Sequence, residues 1–197
     1  VRGQHEKQDR LREIIGQTDP SDRVIIFVNT KRMCDQLAQD LKYDRISCVA
    51  IHGDREQWER DQALNAFKNG RSPIMTATDV AARGLDIKGV KLVVNFDVAS
   101  SAEDHIHRIG RTGRAGIPGL AITFLDSKEG KQAREVMQTM QKVGQPIPPE
   151  LHDLARSGGG GKGGSRFGKG GGKGKGGGGK GGKRGGKGGG FGGGGFG

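Results

Sequence analysis

Along the first 157 residues the hydrophobic positions alternate between runs typical of buried strands and stripes with a helical repeat. Leu11, Ile14 and Ile15 mark a largely polar opening helix. Arg23 to Val28 (RVIIFV) predicts a buried strand, and Met33, Cys34, Leu37, Ala38 and Leu41 outline a helix starting near Thr30. Ile46 to Ile51 predicts the second strand, followed by a helix from Glu56 to Lys68 whose apolar positions are Trp58, Ala63, Leu64 and Phe67. Trp58 and Phe67 both read as packing residues. Pro73 to Ala77, Val90 to Phe96 and Leu120 to Leu125 predict three more strands. Ser101 is placed to cap a short helix, and Ser127 to Val143 predicts a closing one. Gly144 with Pro146, Pro148 and Pro149 then signals the end of regular structure.

Short aliphatic strands alternating with helices mean βαβ units, and therefore an α/β fold with a parallel sheet covered on both faces. In such sheets ligands bind at the carboxyl ends of the strands. The polar and glycine-bearing clusters fall there. Asn29-Thr30-Lys31 follows the first strand, His52-Gly53-Asp54 the second, Thr76-Ala77-Thr78-Asp79 the third, and Asp97 the fourth. One shared binding edge is expected.

Composition divides the chain near Ser157. Gly158 to Gly197 holds Gly, Lys, Arg, Phe and a single Ser, with no acid and no aliphatic side chain. Across all 197 residues, 33 basic against 22 acidic side chains give +11; nine of the basic ones lie in the tail, which leaves +2 for the first 157. The tail cannot bury enough apolar surface to offset its chain entropy, so it is expected to be disordered. The expected boundaries are a domain over 1–156 and a Gly/Lys-rich tail over 157–197. Cys34 and Cys48 lie in apolar segments and read as reduced core thiols of an intracellular protein. No run reaches transmembrane length, and the N-terminus lacks a signal-peptide pattern.

The most informative segment is His107-Arg108-Ile109-Gly110-Arg111-Thr112-Gly113-Arg114. Arginines recur every three residues with glycines between them and no acid inside. Clustered guanidiniums repel one another unless an anion is near, and their planar fork suits phosphate oxygens. The plainer reading is a solvated basic turn, with Asp104 paired to Arg108 across one helical turn. His105 and His107 have no Cys or His partners at ligand spacing, so no metal site is expected.

Together these clusters resemble the second RecA-like domain of DEAD-box RNA helicases, from about His5 to Ala155. Ile25 to Lys31 is similar to that family's motif IV. His52-Gly53-Asp54 with Gln57-Trp58-Glu59-Arg60 resembles its glycine loop and Q-x-x-R element. Thr76 to Ile87 (TATDVAARGLDI) is similar to motif V, and His107 to Arg114 to motif VI. Gly144 to Leu151 resembles the Dbp2/p68-like branch. The implied fold is a RecA-like (P-loop NTPase-like) three-layer sandwich.

The resemblance implies roles residue by residue. Arg111 and Arg114 would act as arginine fingers on ATP. Gly84 and Asp86 would face the same nucleotide, Asp86 through the ribose hydroxyls; otherwise Asp86 is a helix cap or a partner of Arg83. Thr30, Gly53, Arg60 and Thr78 would contact the RNA backbone, which demands phosphate and sugar contacts without base reading. The plainer reading of Arg60 is an exposed charge paired with Glu56. His107 and Arg108 would couple the nucleotide side to the RNA side. The tail resembles Arg-Gly-Gly tails, although lysine mostly replaces arginine; it implies diffuse, salt-sensitive RNA affinity, or else a solubilising linker.

The 197 residues contain no G-x-x-x-x-G-K-[ST] loop and no Asp-Glu-Ala-Asp run. Ala99 and His105 also depart from the family pattern, where a proline and an aromatic are usual. The expectation is the C-terminal lobe of an ATP-dependent RNA helicase. Its ATP, with Mg²⁺, would be held by an N-terminal RecA-like lobe, and alone this lobe would be inactive. Expected partners are RNA, that first lobe and RNP proteins, in nucleus or cytoplasm and without a membrane. The rival is a stand-alone RNA-binding or annealing module without ATPase activity.

Overall fold

The computed structural model describes residues 1–85, 87–113, 116 and 118–157. The elements run α1 (Gly3–Gly16), β1 (Arg23–Phe27), α2 (Lys31–Tyr43), β2 (Cys48–Ile51), α3 (Gln57–Lys68), β3 (Ile74–Ala77), α4 (Asp79–Ala82), β4 (Val90–Asn95), α5 (Ala102–Ile109), β5 (Leu120–Thr123), α6 (Gly130–Lys142) and α7 (Pro149–Ser157). The strands form one parallel sheet in the order β2-β3-β1-β4-β5. The α/β reading and the parallel sheet are therefore what the chain adopts.

Alternation along each strand sends side chains to two cores. Val24, Ile26 and Val28 of the β1 region join Leu92, Val94 and Phe96, packed under Leu11 of α1 and Cys34, Leu37, Ala38 and Leu41 of α2. Ile25 and Phe27 turn the other way, with Val93, Phe67 of α3 and Ala81 and Ala82 of α4. Cys34 and Cys48 are both buried free thiols. Burial raises both, Cys48 to about 12, so neither is a ready thiolate.

Local signals set the helix starts. Thr30 Oγ1 accepts the Met33 N–H at 3.1 Å, and Ser101 Oγ accepts that of Asp104 at 3.1 Å, as caps should. At α3 the Glu59 carboxylate reaches back to the Glu56 N–H at 3.0 Å, half of a capping box.

Two expectations change and one element is added. Regular structure does not end at the proline cluster, because α7 starts on Pro149: at the first helical position a missing N–H costs nothing. Helix α7 docks through Ala155, whose carbonyl accepts from Arg134 at 2.7 Å. The segment after β3 forms the short helix α4 beginning at Asp79. Trp58 is not a packing residue: its side chain is 65% exposed, whereas Phe67 is fully buried. No helix among the described residues is long and apolar enough to cross a membrane.

Candidate nucleotide and nucleic-acid interface

The order β2-β3-β1-β4-β5 puts the ends of β2, β3 and β1 side by side. From β1 the chain crosses to one side of the sheet, and from β4 to the other. The crevice between these two strand ends is the switch point at which such sheets bind ligands. Here a side chain of the protein fills it.

That side chain is Arg108, 1% exposed. Its guanidinium grips Asp79 twice, Nε to Oδ1 and Nη2 to Oδ2, each at 2.6 Å. Nη1 donates to the Asp97 carbonyl at 2.6 Å, and Nη2 also to Asn29 Oδ1 at 2.8 Å. The Phe27 ring lies under the guanidinium, its centroid 5.3 Å from Cζ. Asn29 is held in turn: its N–H donates to Asp97 Oδ2 at 3.0 Å and its amide to the Val98 carbonyl at 3.0 Å. One arginine thus joins the ends of β1 and β4 to the start of α4. A buried charge is tolerable only when paired and hydrogen-bonded, and these four bonds, two of them to a carboxylate, supply that.

Arg108 is therefore not paired with Asp104. Asp104 instead takes Arg83 as its ion-pair partner and accepts the Ser101 hydroxyl at 2.9 Å. The Ser101 bond, opposed by partial burial and helped by Arg83, holds the Asp104 carboxyl below the usual range. His107 is exposed at the mouth of a small crevice that Arg108 and Arg111 line together with Asp79, Arg83 and Asp104. Arg111 donates from Nη1 to the Leu85 carbonyl at 3.0 Å, which fixes it beside Gly84, a residue with φ +75°. Thr112 hydrogen-bonds the Val90 carbonyl at 2.7 Å and so ties the end of the segment to β4. Asp86 and Arg114 lie outside the described residues, as does the Gly/Lys tail.

Thr30, Gly53 and Thr78 sit at the ends of three adjacent strands. Thr30 and Gly53 are exposed; Thr78 is buried, its N–H donating to the Ile51 carbonyl at 3.3 Å. Thr30 Oγ1 accepts in its cap, yet a hydroxyl keeps its own O–H to give. Arg60 is half-buried in the first turn of α3 and donates to Gln57 Oε1 at 3.2 Å, so it is not the Glu56 partner of the plainer reading.

Sequence reasoning missed the residues beneath the Gly53 turn. Asp35 of α2 accepts His52 Nε2 at 2.9 Å and Arg55 Nη2 at 2.6 Å. Burial opposes its ionisation, but the bonds from Arg55 and His52 hold its carboxyl below the usual range. Lys31, one helical turn earlier, pairs with Asp54. Asp35 carries no signal in the sequence, because contacts between α2 and the β2–α3 turn leave no local pattern; Lys31 stands out there only as part of the cluster after β1. A broader apolar hollow along β5, lined by Leu120, Ile122, Phe124, Val136 and Met140 among others, holds none of the candidate site residues.

The helicase conserved C-terminal domain family matches residues 6–116. DEAD-box ATP-dependent RNA helicase 30 of Arabidopsis thaliana is 52% identical over 174 residues, covering 86% of this chain and 29% of that protein. ATP-dependent RNA helicase DBP2 of Saccharomyces cerevisiae is 47% identical over 172 residues, covering 84% and 32% respectively. Among solved structures, S. cerevisiae Dbp5 bound to RNA and ADP BeF3 superposes with a TM-score of 0.66 at 31% identity, covering 80% of this chain and 44% of that one. A parallel RecA-like sheet with arginine-rich motif VI packed at its switch point defines a helicase-type domain. The chain belongs to the helicase conserved C-terminal domain family, as the C-terminal RecA-like domain of the DEAD-box type. It spans about a third of the length of the curated relatives it matches.

Proposed function

We propose that this chain is the C-terminal lobe of an ATP-dependent RNA helicase, which binds the RNA sugar-phosphate backbone and completes the ATP site of a first lobe. The observation that carries the reading is the Arg108 network, which joins Asn29, Asp79 and Asp97 at the switch point. Motif VI thereby sits on the same support as the candidate RNA contacts.

Thr30 and Gly53 offer donors to successive phosphates, with no side chain at Gly53 to block the approach of its N–H. Arg60 adds charge at the start of α3. Thr78 contributes through the turn it anchors. ATP supplies the phosphoryl group whose transfer develops charge on its oxygens. Fingers at Arg111 and Arg114 answer that charge from across an interface, where such a group is worth about 10³–10⁵ in rate. What supports a nucleotide here is Arg111, oriented by the Leu85 carbonyl beside Gly84, in a stretch that leads into Asp86, the residue proposed to take the ribose hydroxyls. Coupling follows from Arg108, which cannot move without disturbing Asn29, next to Thr30, and Asp79, next to Thr78. Mg²⁺ belongs to the first lobe, as does the P-loop. The domain is 1–156, and the tail from 157 onward adds diffuse RNA affinity through its nine cationic residues.

The test compares RNA oligonucleotides of different sequence with DNA of matched sequence. The reading predicts similar affinity across RNA sequences, weaker DNA binding, and a loss on Arg60→Ala that does not depend on base sequence. Equal binding of RNA and DNA, untouched by Arg60→Ala, would contradict it. If the chain is an annealing module instead, Arg114→Ala leaves function intact.

A further inference from the structure

We propose that Asp35 is a positioning residue for RNA binding, and that Lys31 beside it is a phosphate contact held in reserve by Asp54. The inference rests on the RNA reading of the Gly53 turn; it assigns Asp35, outside the motifs that led to that reading, and gives a role to Lys31, the last residue of the motif IV stretch.

Lys31 and Asp35 are one turn apart on α2, so they share a face. Between them they hold three of the four residues His52-Gly53-Asp54-Arg55. Asp35 takes His52 and Arg55, which bracket the turn, and Lys31 takes Asp54. Gly53 is the one residue of the four not held by these two side chains, and it is exposed. Arg55 is braced a second time by Glu59 Oε1 at 3.3 Å, and Glu59 also accepts the Glu56 N–H. The turn is thus fixed from α2 on one side and from the start of α3 on the other. A backbone N–H binds phosphate well only if its direction is set beforehand, and this scaffold sets it.

Lys31 supplies the second part. A methyl group built on Gly53 would meet Lys31 Cε at 3.9 Å, so the lysine stem runs past the glycine. The Lys31 and Asp54 side chains are both more than half exposed, and an exposed pair of this kind is worth little. A phosphate arriving at the Gly53 N–H therefore meets an ammonium whose existing partner is easily exchanged. Lys31 turns from Asp54 to the phosphate, and Asp54 returns to water.

Charge gives the test its power. Asp35→Asn removes a negative charge, so plain electrostatics predicts tighter RNA binding, whereas loss of positioning predicts weaker binding. Affinity of the full chain for oligouridine is measured against salt concentration, with circular dichroism confirming that each variant is folded. The expected result is about tenfold weaker binding for Asp35→Asn, with substantial recovery in Asp35→Glu. Lys31→Ala should lower the slope of log affinity against log salt by about 0.7, the release of one counterion from a single strand. If Asp35→Asn fails to fold, Glu59→Gln, which also removes a negative charge and loosens the second brace on Arg55, is read the same way. Unchanged or tighter binding by Asp35→Asn, while Arg60→Ala weakens it, overturns the positioning role and leaves the RNA reading standing. An unchanged salt slope for Lys31→Ala overturns the lysine contact. If Arg60→Ala is also without effect, both the inference and the RNA face beneath it fail.

Discussion

Arg108 and Asp79 meet through two parallel hydrogen bonds of 2.6 Å, although 29 residues separate them in the chain. The pair closes the crevice where β1 and β4 diverge. It also turns a buried cation, which alone would be costly, into the joint between motif IV, motif V and motif VI. Removing Arg108 leaves the largely enclosed Asp79 carboxylate, 20% exposed, without its partner. Arg108→Ala should therefore destabilise the domain by about 3–5 kcal/mol, read by denaturant unfolding. Arg108→Lys keeps the charge but loses the fork, and should recover only part of that stability. A loss below about 1 kcal/mol for Arg108→Ala would mean that the network is not structural.

The two aromatic residues of α3 should behave oppositely. Phe67 is fully enclosed, so Phe67→Ala should cost about 3–5 kcal/mol through lost burial and a residual cavity. Trp58 points outward, and Trp58→Ala should shift stability by no more than about 0.5 kcal/mol. Thermal unfolding of the two variants side by side is the check.

His105 gives the fold a pH dependence above the carboxylate range. It is 6% exposed, and its Nδ1 has no hydrogen-bond partner among the described residues. Desolvation first, then the nearby Arg108 charge, lowers its pKa from the ordinary 6.5. The unfolded chain then binds the proton more readily than the folded one, so stability rises with pH across this window. Full stability is present above about pH 6.5 and declines as pH falls below that value. Asp35 and Asp104, whose carboxyls are lowered, add their own loss only further down, as pH falls below the ordinary carboxylate value of 3.8. His105→Phe should abolish the slope that begins below about pH 6.5 while leaving the acid limb in place. Urea midpoints across that range provide the measurement.

The strands were legible because aliphatic runs of this length bounded by turns have few other readings, and all five fall within the expected spans. Thr30 and Ser101 were legible as caps because capping is a local hydrogen bond. The Asp104–Arg108 pair failed for the opposite reason: a four-residue spacing makes a contact possible, but a partner brought in by the fold, Asp79, offered a bidentate site. The proline cluster misled because proline ends one helix and starts the next equally well. Trp58 misled because one apolar side chain at a helical spacing does not say whether the stripe continues beneath it. Asp35 gave no signal at all, since what it holds becomes visible only when α2 lies against the turn after β2.

The tail contributes nine basic residues and no acid. Deleting residues 158–197 should weaken RNA affinity and flatten its salt dependence, because fewer counterions are released on binding. Titrations at several salt concentrations with and without the tail give the two slopes. Equal slopes would mean that the tail only solubilises.

The central claim is that this rim becomes catalytic only when a companion lobe presents a bound triphosphate to it. The most direct test is RNA-stimulated ATP hydrolysis by this domain joined to a DEAD-box first lobe carrying the P-loop. The account predicts no turnover by this chain alone, turnover by the joined protein, and a loss of about 10³-fold or more on Arg111→Ala with RNA binding retained. Turnover by the isolated chain, or a joined protein indifferent to Arg111→Ala, would contradict it.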